Sequence, residues 1–166
     1  MRLGLALLGL VLLLAPASGA APQPFARIAS VIDGDTALLS NGERVRLVQI
    51  DAPELREREC YGAQARDVLR RLTPPGSTVR VESDRLLDDV DRFGRLLRYV
   101  FRGSVNVNLE LVRVGAAAPY FYAHDRGRYA NALLAAANAA RAARRGLWGA
   151  CPRTQLNPYR QVATGP

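Results

Sequence analysis

Between Phe25 and Phe101 the chain is broken into short runs that favour β-strands, each stopped by a turn residue, and that punctuation limits the folds open to it. Phe25 to Ile32 alternates loosely and halts at Asp33-Gly34. Thr36 to Leu39 is followed by Asn41-Gly42, a hairpin turn in which both residues tolerate positive φ. Arg44 to Ile50 then sets Val45, Leu47 and Gln49 on one face and Arg46, Val48 and Ile50 on the other. Asp51-Ala52-Pro53-Glu54 ends that run, since proline donates no ladder bond and restricts the residue before it. Thr78 to Val81 and Arg95 to Phe101 complete five strands. A helix from Tyr61 to Leu72 is inserted among them, with Ala65, Val68, Leu69 and Leu72 at helical spacing and Pro74-Pro75-Gly76 as its stop. Two more helices follow: Val107 to Val114, with Asn106 as N-cap and Gly115 as C′, and an alanine-rich one from about Arg126 to Arg145 that Asp125 can cap. Leu147 and Trp148 are expected to return to the core. The pattern is that of an α+β chain dominated by a small five-stranded barrel that carries helices. Strand order does not follow from it.

The first twenty residues read as a signal peptide. Arg2 precedes the apolar run Leu3 to Leu14, and the small residues Ala15 to Ala20 follow. The apolar run is too short for a membrane span, which takes roughly 20 residues. Residues 21–150 are then expected to form one domain, and residues 151–166, which lack periodicity, a loose tail. Export predicts secretion, to the periplasm or the medium. Cys60 and Cys151 are the only cysteines, and an even count in an exported chain points to a disulfide. Together with the single histidine, His124, they are too few for a zinc site. His124 itself is expected in an exposed loop.

Net charge is +8, and all 23 basic residues are arginine. A GC-rich genome accounts for the missing lysines whatever the function. It does not account for the positive balance, which favours polyanionic partners. Arg141, Arg144 and Arg145 read as a solvated helix end favoured by the helix dipole.

Three motifs carry chemistry: Asp33-Gly34-Asp35-Thr36, Asp51-Ala52-Pro53-Glu54 and Asp91-Arg92-Phe93-Gly94-Arg95. Singly, each is an ordinary acidic turn. Their weight comes from occurring in order, each at a strand end, with Arg46 five residues before Asp51. Carboxylates can hold a hard cation, and arginine forks can hold phosphate oxygens, which together suit metal-assisted phosphodiester hydrolysis. Strict alternation puts Arg46 and Asp51 on opposite faces, so they converge only if the strand ends near Ile50. Tyr120-Phe121-Tyr122 is a candidate platform for stacking bases.

With these motifs in this order, the chain resembles the staphylococcal-nuclease-like (thermonuclease) family from about Phe25 to Trp148. Tyr61-Gly62, Asn108, Leu111-Val112-Arg113, Gly115, Tyr120 and Tyr122 add to the likeness. The resemblance implies an OB-fold barrel of five strands with three helices. It also implies Ca²⁺-dependent endonucleolytic cleavage of DNA and RNA, indifferent to the sugar, leaving 3′-phosphates and 5′-hydroxyls. Carried over by position, it makes Asp35, Asp51 and the carbonyl of Ala52 the Ca²⁺ ligands and places Asp33 in the outer shell. Glu54 becomes the general base, Arg46 and Arg95 the phosphate clamp, and Arg92, Tyr120 and Tyr122 substrate contacts. Ala52 stands where some members have threonine, Arg92 where many have lysine, and Phe93 where some have tyrosine. A monomer without a stable protein partner is expected. Two other readings stay open: a catalytically silent nucleic-acid-binding module on the same fold, and an exported Ca²⁺-stabilised structural or adhesion domain. Retention of all the acids argues against the first, and the second leaves Arg46 and Arg95 unexplained.

Overall fold

The computed structural model describes residues 25–165, so the segment read as a signal peptide lies outside it. In chain order the elements are β1 (Phe25–Val31), β2 (Thr36–Leu39), β3 (Arg44–Leu47), β4 (Ile50–Asp51), α1 (Gly62–Leu72), β5 (Thr78–Glu82), β6 (Leu96–Arg102), β7 (Val105–Asn106), α2 (Val107–Arg113), β8 (Ala118–Pro119), α3 (Ala130–Ala142) and α4 (Leu147–Ala150). A 3₁₀ turn at Tyr122–His124 precedes α3. Among the described residues no helix is long and apolar enough to cross a membrane.

The strands close into a five-stranded OB-like barrel. β1, β2 and β3 form an antiparallel meander, β1 and β5 pair antiparallel, and so do β5 and β6. Closure comes from a parallel pairing of β3 with β6, in register Val45↔Leu96, Arg46↔Leu97 and Leu47↔Arg98. Ile28, Leu39, Val45, Leu47, Val79 and Val100 fill the interior, and Leu69 of α1 plugs it. Leu69 can do so because Ala65 and Leu69 share a face one helical turn apart. α2 and α3 pack on each other outside the barrel through Leu111, Val112, Leu133 and Ala137.

A buried asparagine fastens the seam. Asn108 of α2 accepts from the Val100 N–H at 3.0 Å and donates to the Val48 carbonyl at 2.9 Å and the Arg98 carbonyl at 3.3 Å. It thus reinforces the join of β6 to the chain leaving β3, where the Val48 N–H donates to the Arg98 carbonyl at 2.9 Å. Asn108→Ala strands the Val100 N–H and the Val48 carbonyl, at roughly 1–3 kcal/mol each, while the Arg98 carbonyl keeps the Val48 N–H. We expect urea denaturation to show a loss of about 2–4 kcal/mol with little change in m-value.

Two expectations are corrected. The third long helix starts at Ala130, not near Arg126. Residues 125–128 are held outside a helix by distant side chains: the Asp125 carbonyl accepts from Gln49 Nε2, Gly127 N–H donates to Gln49 Oε1, and Arg128 N–H donates to Asp84 Oδ2. The residues after Pro152 are no loose tail. Val162 and Thr164 are buried, Phe121 N–H donates to the Pro158 carbonyl, and Tyr159 stacks on His124 at 4.6 Å. Cys60 and Cys151 are joined by a disulfide, Cα to Cα 6.0 Å. Leu147 and Trp148 do return to the core, on the short α4.

Candidate active site

Two turns and one kinked strand end bring the acids together. At the β1–β2 turn, Asp33 Oδ1 accepts from the Asp35 N–H at 3.1 Å and fixes the loop. Gly34 lies between them with no room for a side chain: a Cβ there would stand 2.5 Å from the Ala52 Cβ and 2.8 Å from the Ala65 Cβ. Glycine therefore lets the turn sit directly on α1 and on the segment after β4, which sets Asp35 beside Asp51.

The convergence of Arg46 and Asp51 has a backbone cause. β3 ends at Leu47, and Gln49 takes the left-handed conformation, φ 64°. This breaks the strand alternation before Ile50. Arg46 Nη2 then reaches Asp51 Oδ1 at 2.7 Å and Asp35 Oδ2 at 3.3 Å, while its Nη1 donates to the Ile50 carbonyl at 2.8 Å. Asp35 also accepts from the Ala52 N–H and the Thr36 hydroxyl, and Asp51 Oδ2 accepts from the Val162 N–H at 2.8 Å. Glu54 sits on the exposed side of this group. Its loop lies against the first turn of α1, where a Cβ on Gly62 would stand only 2.9 Å from the Glu54 carbonyl oxygen.

The electrostatics record an excess of negative charge. Burial and the neighbouring Asp35 push Asp51 up to about 7, against the opposing pull of Arg46 and the Val162 N–H. Asp33 and Glu54 are raised for the same reasons, burial first and then the adjacent carboxylates. Burial opposes the charge of Arg46, but Asp35, Asp51 and Asp33 outweigh it and hold its pKa above the ordinary value. Several carboxylates thus share one guanidinium.

The third motif forms a tight turn. Asp91 accepts from the Phe93 and Arg95 N–H groups and from Arg95 Nε at 2.7 Å. Burial works against its charge, yet these donors hold its pKa below the usual value. Phe93 is 58% exposed, with the Arg92 and Arg95 guanidinium carbons 4.7 and 5.4 Å from its ring centre.

A cleft of about 330 Å³ collects Arg46, Arg92, Arg95, Phe93, Tyr120 and Tyr122 over an apolar floor of Val48, Leu87 and Leu97, with Val90, Asp88, Asp91 and Asp125 also along its walls. Tyr120 and Tyr122 meet edge to face at 6.4 Å and Tyr122 is 66% exposed, whereas Phe121 between them packs into the core. Asp35, Asp51 and Glu54 do not line this cleft, so Arg46 is the residue common to both groups. His124 lies outside it, exposed and stacked on Tyr159, and the arginines at the end of α3 are exposed elsewhere.

Among the described residues no three acid, histidine or cysteine side chains converge as a ready metal-ligand set. The donor chemistry nevertheless fits a hard dication. Asp35 and Asp51 offer only oxygen, Asp35 Oδ1 and both Asp51 oxygens each have one partner and keep lone-pair capacity, and the uncompensated negative charge is what a cation would relieve. Sequence reasoning passed over three contributors. Gln49 makes the left-handed turn and holds residues 125–127, Val162 donates to Asp51, and Gln161 lines the cleft. None carries a local signal, because each acts through a contact distant in sequence.

The model of the staphylococcal nuclease homologue family matches residues 44–150. An "Uncharacterized endonuclease" of Escherichia coli O157:H7 is 36% identical over 126 residues, covering 74% of this chain and 75% of that protein. Thermonucleases of two staphylococci are also similar. That of Staphylococcus intermedius is 37% identical over 100 residues, 55% of this chain and 57% of its own. That of Staphylococcus hyicus is 30% identical over 130 residues, 74% of each.

Proposed function

Because the chain belongs to the staphylococcal nuclease family and is thus a nuclease acting on nucleic acid, we propose that it is an exported, Ca²⁺-dependent endonuclease cutting both DNA and RNA. The observation that carries this reading is the position of Arg46, shared between the Asp35–Asp51 pair and a cleft that also holds Arg95 and two tyrosines. Export rests on the leading apolar segment and agrees with a disulfide, which persists in oxidising compartments.

In this reading Asp35, Asp51 and the Ala52 carbonyl hold the cation, with Asp33 behind them. Bound there, Ca²⁺ would supply positive charge beside the phosphoryl oxygens and acidify a nearby water. Glu54 takes the proton from the attacking water, helped by partial burial and then by neighbouring carboxylates, which raise its pKa and so its basicity. Arg46 and Arg95 donate to the equatorial phosphoryl oxygens, where negative charge grows; such fixed donors are commonly the largest catalytic contribution. Arg92 offers a further contact to phosphate. Tyr120 and Tyr122 flank the nucleotide, leaving the apolar floor for a base. Cleavage on the 5′-oxygen side of the phosphorus leaves 3′-phosphate and 5′-hydroxyl ends.

Purified protein should cut supercoiled plasmid and single-stranded RNA with Ca²⁺, turn over little with Mg²⁺, and fall silent in excess EDTA. Polynucleotide kinase should label the fragments without prior phosphatase treatment. Full activity in EDTA would remove the metal-dependent mechanism. Binding without cutting under every condition would identify a silent module.

A further inference from the structure

We propose that residues 157–165 form a strap that works as a positioning element of the active site, holding Asp51 through the Val162 N–H. The idea rests on the nuclease reading above for its consequence, but on main-chain geometry for its premise. Val162 N–H donates to Asp51 Oδ2 at 2.8 Å, in a setting where donor and acceptor are both buried. Asp51 Oδ1 is taken by Arg46, so these two contacts fix both carboxylate oxygens in place. Without the Val162 N–H, rotation about the side chain of Asp51 is opposed on one side only.

The strap is anchored independently at both ends. Beside the disulfide, Cys60 N–H donates to the Gly165 carbonyl at 2.7 Å, and the Thr164 hydroxyl donates to the Cys60 carbonyl at 2.8 Å. At the other end, the Pro158 carbonyl accepts from the Phe121 N–H, and Tyr159 stacks on His124 and meets Phe121 edge to face. Thus the strap ties the segment that follows Glu54 to the turn bearing Tyr120 and Tyr122, and it touches Asp51 between them. Gln161 lines the cleft as a result. A segment lying merely against the surface would not spend a buried main-chain donor on a carboxylate of the site. Partners of this kind, donating to a ligand residue, typically change metal affinity or activity by roughly 10–100-fold when removed.

The test compares three changes at one position. Val162→Pro removes the N–H. Val162→Ala keeps it and loses only side-chain packing. Replacing the residue by α-hydroxyisovaleric acid deletes the N–H alone and guards against a proline variant that fails to fold. The Ca²⁺ concentration for half-maximal binding, read by calorimetry, should rise about 10–100-fold in the ester and proline forms and stay within about twofold in the alanine form. In plasmid cleavage the same forms should lose kcat at saturating DNA, with KM for DNA unchanged. Hydrogen exchange at the Val162 amide, slow in the wild type, should quicken in Asp51→Ala. An ester form with wild-type Ca²⁺ affinity would overturn the positioning role even if the wild type cuts DNA. A wild type that binds Ca²⁺ but cuts nothing would overturn the nuclease reading and leave the calorimetric comparison decisive for the strap.

Discussion

Glu54→Gln should lower kcat by roughly 10²–10⁴-fold, the range set by losing a positioned general base, while KM for DNA moves little. Glutamine keeps the volume of the side chain, and Glu54 is exposed, so the fold has no reason to respond. Its main-chain N–H bond to Glu59 does not depend on the side chain. The change also removes one carboxylate from a site already crowded with them, so Ca²⁺ affinity is expected to fall modestly and kinetics must be run at saturating metal. Single-turnover cleavage with a melting curve on the same preparation is the measurement. Activity retained within tenfold in a folded variant would take the base role away from Glu54.

Arg46→Ala should be costly in two separable ways. Asp35 and Asp51 are left buried without their guanidinium, and breaking a buried pair from one side costs about 3–5 kcal/mol. In the proposed mechanism the phosphate loses a charged donor as well, worth at least about 10²-fold in kcat. Added Ca²⁺ should recover much of the lost melting temperature, because a cation relieves the stranded carboxylates, yet it should not recover turnover. Arg46→Lys should restore part of each property, since an ammonium brings the charge without the planar fork. Arg141→Ala, exposed on α3 and outside the lining of the cleft, serves as control and should leave kcat nearly unchanged. Equal losses in folded Arg46→Ala and Arg141→Ala would mean that the arginines act only as bulk positive charge.

The local grammar of the chain was readable wherever a residue acts on its immediate neighbours. Asn106 caps α2 by accepting the Leu109 N–H, Pro74 and Gly76 follow the end of α1, and Asn41-Gly42 turns β2 into β3. The acidic motifs could be picked out because they stand at strand ends. Their meeting could not be derived, since it depends on Gln49 adopting a left-handed turn that glutamine does not advertise. The late start of α3 and the packed strap have the same origin. Gln49 reaches residues 125–127 through two hydrogen bonds, and Asp84 reaches the Arg128 N–H and Asp51 the Val162 N–H through one each, across long stretches of sequence. Periodicity is blind to such bonds, because they change neither the apolar pattern nor the turn residues.

The parallel join of β3 to β6 is, like the pairing of β1 with β5, one of the long-range closures of the barrel. Its neighbours β2–β3 and β5–β6 can zip from nearer contacts, whereas these two closures must wait for a long intervening loop to be brought round. Arg46 leaves the barrel on one side of that join, at the level of Leu97, and Arg95 stands at the head of the strand on the other. Neither arginine can find the other's phosphate until the seam has closed. Turnover is therefore expected to report closure of the barrel, and a chain in which that join is open, though it carries every residue of the site, should leave nucleic acid intact.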